Sequence, residues 1–171
     1  MNAGRLPMKS EAKNQLEELL GKYDARLGEE ERAVAATRAA DAAFPARFAT
    51  LRAETLRPAM QEFIDLLSTH GHWATVIEQE ESSTTVGGFS HAAISLRINP
   101  KSFPHKPTTN KPFIEITFSA NRSERKITVS STNTTINSTG NIGKRGEYQI
   151  ETMTADIVAE HVIRTLQEAL R

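Results

Sequence analysis

The chain has 171 residues, 38% hydrophobic and 25% charged, with 21 Lys and Arg balancing 21 Asp and Glu, and no cysteine. That composition suits one globular domain with an appendage, and it excludes a disulfide framework or a thiolate metal site. No apolar run approaches the roughly 18 residues that span a bilayer, and the opening MNAGRLPMKSEAKNQ lacks the apolar core of a secretory signal, so a cytoplasmic protein without a membrane partner is expected.

The spacing predicts a helix over residues 10–27. Ser10 can cap it, and Ala12, Leu16, Leu19, Leu20, Tyr23 and Leu27 recur at steps of three and four. Gly28 is its expected stop. A second, weaker helix is expected from Glu29-Glu30-Glu31, acids that suit the positive end of a helix dipole, to Ala43. Its one large aliphatic residue is Val34. Residues 1–43 thus read as an N-terminal helical arm ahead of a domain over 44–171. The stripe over 12–27 is narrow, spaced like a coiled-coil seam, and too poor in apolar surface to stand alone. Leu16, Leu19, Leu20, Tyr23 and Leu27 are therefore the candidate interface of a homo-oligomer, with a dimer as the expected form and another protein as the alternative partner.

Phe44 to His70 is the strongest helical signal. Phe48, Leu51, Leu56, Met60, Phe63, Ile64 and Leu67 form a face broad enough to cover a sheet. Pro45 fits the first turn of a new helix, and Pro58 should kink a nearly continuous one. Gly71 ends it. Trp73, Thr75 and Ile77 then share one strand face with Val76 on the other, and Val86-Gly87-Gly88 supplies a turn into a strand over 90–98. In that strand Ala92, Ile94, Leu96 and Ile98 point inward while Ser95 and Arg97 point outward.

Asn99 to Pro112 carries four prolines and three lysines, which predicts an exposed connection. PFIEITFSANRSERKITVSST follows as a hairpin. Ile114, Ile116, Phe118, Ile127 and Val129 form an apolar face, against Glu115, Thr117, Lys126 and Thr128 on a wet one. A polar, glycine-rich stretch leads to a short strand over 147–150 and a last helix from about Thr154, lined by Ile157, Val158, His161, Val162, Leu166 and Leu170. The expected fold is α+β: a four- to five-stranded antiparallel meander with one face covered by the long kinked helix and the C-terminal helix, preceded by the N-terminal helices.

Charge is uneven. Residues 1–85 carry a net charge of −4 and residues 86–171 carry +4. Arg97, Lys101, Lys106, Lys111, Arg122, Arg125, Lys126, Lys144 and Arg145 are the candidate polyanion-binding set, with nucleic acid as the alternative partner. Aromatic platforms for stacking bases are scarce, Phe89 and Phe103 being the two candidates. Gly143-Lys144-Arg145-Gly146 resembles the GXXG signature of KH domains, in which the loop joins two helices. The Thr-, Ser- and Asn-rich residues ahead of it favour a glycine turn before an edge strand instead. Its glycines are spaced wrongly for a phosphate-binding P-loop.

No catalytic residue, metal or cofactor is expected. His70 and His72 read as the end of a helix, and with His91 and His105 they lack a recognisable ligand spacing. Glu78, Glu80 and Glu81 read as a solvated strand edge. Glu115 reads as a cross-strand partner of Lys126 or Arg97 rather than a general base, and His161 as a satisfied core histidine. The chain is expected to be a non-enzymatic association domain, with a small-molecule binder or enzyme on the polar sheet face as the remaining alternative.

Overall fold

A computed structural model describes residues 10–83, 88–101, 113–134 and 143–170. The chain divides into two compact units, one ending at Ala42 and one beginning at Ala43. Helix α1 (Ser10–Leu51) is continuous where two helices meeting at Gly28 were expected. Glycine stops a helix when it takes the left-handed conformation; otherwise it costs about 1 kcal/mol relative to alanine. Gly28 is followed by Glu-Glu-Glu-Arg and an alanine run, strong helix formers that carry the backbone through it. Pro45 likewise lies inside α1, not in the first turn of a new helix. Burial of Phe44 and Phe48 on either side of it offsets the backbone bond it forgoes.

In the second unit α1 passes into a π-helical turn (Arg52–Leu56) and then α2 (Arg57–Thr69), so the irregularity precedes Pro58, which occupies the first turn of α2. The Arg57 amide bonds to the Arg52 carbonyl, five residues back. This turn explains a spacing in the sequence. Leu51 and Leu56 are five apart, a step an α-helix cannot place on one face, and the wider turn supplies the extra residue. Phe44, Phe48, Leu56, Ala59 and Met60 are then all buried in one core, with Leu51, Phe63, Ile64 and Leu67 packed against it. A Schellman motif closes α2: Gly71 has φ 78°, its amide bonds to Ser68 O and the His72 amide to Leu67 O.

The sheet follows as β1 (Trp73–Gln79), β2 (Ser82–Ser83), β3 (Phe89–Ser90), β4 (Ala93–Asn99), β5 (Phe113–Asn121), β6 (Lys126–Thr134) and β7 (Gly143–Gln149). Five strands form an antiparallel meander in the order β1-β4-β5-β6-β7, and the short β2–β3 ladder extends the first hairpin. A 3₁₀ turn (Ile150–Thr152) leads to α3 (Ala155–Ala169), whose cap is Thr154 accepting from the Ile157 amide. Ile94, Leu96, Ile98, Ile114, Ile116, Phe118, Ile127 and Val129 are buried against α2, α3 and the end of α1. The strand alternation is thus the one the sequence carries, with one face roofed by helices and one left open.

β7 begins at Gly143, so the glycine turn expected before an edge strand is part of the strand itself. A register shift between Val129 and Ser130 lets β7 change faces: Val129 pairs with Gly146, Ser130 with Lys144, and Arg145 falls at the bulge. Gly146 is required there, because a Cβ would lie 2.9 Å from the Tyr148 ring.

Candidate functional site

The open sheet face is built from the outward residues of five strands. Thr75 pairs with Arg97, Arg97 with Glu115, and Glu115 with Thr132; Ser95 pairs with Thr117, and Thr117 with Ser130. Arg97 Nε donates to Glu115 Oε2 at 2.6 Å, and the guanidinium lies 4.7 Å from the centre of the Phe113 ring. Glu115 is therefore held by Arg97, not Lys126. Ser95 and Thr117 share a 2.8 Å hydrogen bond. Trp73, Thr75 and Ile77 do share a face, and it is this open one; Ala74 and Val76 face the core. Trp73 at one edge is 61% exposed.

Among the described residues the basic set does not converge on one surface. Arg97 pairs with Glu115, Arg122 with Glu81, Lys126 with Glu124 and Glu147, Lys144 with Glu147, and Arg145 with Glu168. The Lys144 ammonium draws the Glu147 carboxyl below the usual carboxylate range, chiefly through their hydrogen bond. Arg145 leaves the open face altogether, since the bulge directs it to Ser131 Oγ at 2.6 Å and to Glu168 on α3. Lys101 packs its side chain over Gly71, and Arg125 sits in the β5–β6 turn at φ 54°. Lys106 and Lys111 lie outside the described residues, as do Phe103, His105 and the Val86-Gly87 turn. Of the expected strand-edge acids, Glu78 meets Arg57 at 2.7 Å and Glu80 meets Arg52 at 2.6 Å, so that edge is pinned to the π turn and the start of α2 instead of simply solvated.

Beneath the β6–β7 edge lies a polar group the sequence hinted at only through His161. Its imidazole is 1% exposed, with Nε2 2.7 Å from Tyr148 Oη and Nδ1 3.0 Å from Arg164 Nη2. A guanidinium only donates, so Nδ1 accepts and the ring proton sits on Nε2, pointing at Tyr148. Burial, and then the charge of Arg164, pushes the imidazole below its usual pKa, which keeps it neutral. Phe118 meets the ring edge-on at 6.3 Å. This is a satisfied core histidine. Among the described residues no cluster of three or more His, Asp or Glu side chains could hold a metal ion. A hollow of about 80 Å³ beside Phe44, Phe48, Arg52 and Ala92 is well short of the several hundred Å³ of a usual ligand pocket.

The described residues of the first unit form a single helix. Leu16, Leu19, Leu20, Tyr23 and Leu27 range from 37% exposed at Leu27 to 64% at Leu19, and Val34 is 50% exposed. Their neighbours on the helix are ion pairs between exposed side chains: Lys13–Glu17, Glu18–Lys22 and Arg26–Glu30. Such pairs contribute about 0.3–0.5 kcal/mol each and hold the helix without covering its apolar side. Arg26 also lies over the Tyr23 ring at 5.7 Å. Among the described residues of this unit nothing buries the stripe.

No protein family, curated protein or solved structure matches this chain. Among the described residues no helix is long and apolar enough to cross a membrane.

Val34 lies in the same helix as the arm residues, where a separate helix is expected from the sequence. Its signal was its place seven residues after Leu27, one full heptad on. Tyr148 could have been linked to His161 as an inward residue of the last strand facing the apolar side of the last helix. The bulge that turns Arg145 inward left no such mark.

Proposed function

We propose that this protein is a non-enzymatic association module that acts in the cytoplasm as a homo-oligomer formed through its N-terminal helix. The observation that carries this reading is the stripe Leu16, Leu20, Tyr23, Leu27 and Val34, large apolar side chains half in water along a helix that the described residues of its own unit leave uncovered. Isolated helices are marginal in water, and apolar stripes at heptad spacing gain stability by packing on a second helix. In the second unit the charged residues of the sheet are engaged with one another, which supports a structural role for them over a catalytic one.

Sedimentation equilibrium of the full chain at micromolar concentration tests the proposal. A mass above one chain is expected, reverting to one chain in the Leu20→Glu/Leu27→Glu variant while the thermal transition of the α+β unit stays in place. A wild-type mass of a single chain, or an unaltered oligomer in the double variant, refutes it.

A further inference from the structure

We infer that the partner of the arm is a second copy of this chain lying parallel to it and in register, the two helices forming a short two-stranded coiled coil over Leu16–Val34. The inference rests on the self-association proposed above and adds orientation and stoichiometry to it. Leu16, Leu20, Tyr23, Leu27, Glu30 and Val34 follow one another at alternating steps of four and three, which makes Leu20, Leu27 and Val34 the a positions and Leu16, Tyr23 and Glu30 the d positions of a heptad. Lys13 and Asp41, the a positions on either side, close the seam. Gly21 and Gly28 both fall on b, away from it, and a Cβ at Gly21 would meet nothing within 4 Å.

Charge decides the orientation. The e positions are Glu17, Asp24 and Glu31, all acidic, and the one charged g position in this stretch is Arg26. In a parallel pair each g residue faces the e residue five further on in the other helix, so Arg26 meets Glu31 twice, once from each side. The remaining pairs, Ala12 with Glu17 and Leu19 with Asp24, oppose no like charges. An antiparallel pair that matches the apolar residues sets Leu16 against Val34 and Tyr23 against Leu27. It then lines e against e, placing Glu17 opposite Glu31 and Asp24 opposite Asp24, and brings Arg26 to Arg26. Repulsion at every charged flank disfavours that arrangement. Arg26 is exposed and 3.7 Å from Glu30 in its own helix, within reach of the new partner by a change of rotamer.

The chain has no cysteine, so single introduced thiols report the geometry directly. Leu20→Cys is expected to give a disulfide-linked dimer under mild oxidation, because position 20 faces position 20 only in the parallel, in-register pair. An equimolar mixture of Leu16→Cys and Val34→Cys chains is expected to yield no mixed disulfide; formation of that species, with Leu20→Cys unlinked, overturns the orientation while leaving self-association standing. A charge series gives a reading that does not depend on a thiol in the seam. Arg26→Glu should weaken the dimer about tenfold, two attractions becoming two repulsions, and Arg26→Glu/Glu31→Arg should restore it. Unchanged association of Arg26→Glu, which in an antiparallel pair only exchanges one like-charge contact for another, points to antiparallel helices and refutes the inference. A wild-type chain that sediments as a monomer removes both this inference and the proposal beneath it.

Discussion

Glu30 is the one charged residue inside the inferred seam, and replacing it offers a test by gain rather than loss. In a parallel pair the two Glu30 side chains share a layer between Leu27 and Val34. Glu30→Leu puts two leucines there, and burial of each contributes about 1.5 kcal/mol, the low end for a leucine, or about 3 kcal/mol per dimer. Against this stands the loss of the Arg26–Glu30 pair on each helix, exposed on both sides and 3.7 Å long, at about 0.5 kcal/mol apiece. Leucine and glutamate have similar helix propensities, so the backbone term nearly cancels. The net gain is about 2 kcal/mol, which tightens the dissociation constant roughly 30-fold. Sedimentation equilibrium across a concentration series measures it, with Glu29→Leu, one position round the helix and outside the seam, as the control. An unchanged or weaker dimer for Glu30→Leu, or an equal gain for Glu29→Leu, contradicts the heptad assignment.

Four further outcomes follow from the folded unit and the arm. His161 is held neutral below its usual pKa of 6.5, so between that value and its depressed one the unfolded chain binds a proton that the folded chain refuses; stability should fall as pH drops below about 6.5, and chemical denaturation of His161→Phe should lose that slope. The lowered carboxyls of Glu147 and Glu151 act in a separate window, their contribution being present above the ordinary value of 4.5 and lost as pH falls beneath it. Gly146→Ala should destabilise the α+β unit by about 1–3 kcal/mol in urea titrations, since its methyl meets the Tyr148 ring while His161 holds that ring's hydroxyl. Gly28→Ala, with only the Arg32 side chain within 4 Å of the new methyl, should raise helix content and stabilise the arm by about 1 kcal/mol, read by circular dichroism.

How much of this was legible depends on whether a feature is periodic or conditional. The central hairpin was plain, because Ile114, Ile116, Phe118, Ile127 and Val129 alternate without interruption and every one is buried. The capping Thr154 and the closing Gly71 were legible for the same local reasons. Gly28 misled where Gly71 did not. Both are glycines after an apolar stripe, but a β-forming His-Trp-Ala-Thr-Val run follows Gly71, whereas helix formers follow Gly28. The basic residues looked like one patch because a sequence records their sign and not their direction. The bulge beside Val129 sends Lys144 and Arg145 to opposite faces, and acids distant in the chain, Glu81 and Glu168 among them, come to neutralise the cations. The arm's exposed side was visible as a stripe; its single heptad frame emerged once the helix proved unbroken.

The π-helical turn works as a phase corrector between two stretches written on different clocks. Phe44 and Phe48 keep one beat, and Leu56, Met60 and Phe63 keep another that lags by a residue. Wound throughout as a regular α-helix, the later group would swing by about 100° around the axis and present Thr55, Ala59 and Glu62 to the sheet in place of Leu56, Met60 and Phe63. Arg52 and Arg57, at the two ends of the correction, clasp Glu80 and Glu78 in and just beyond the edge strand β1, fastening the helix at the spot where its winding changes.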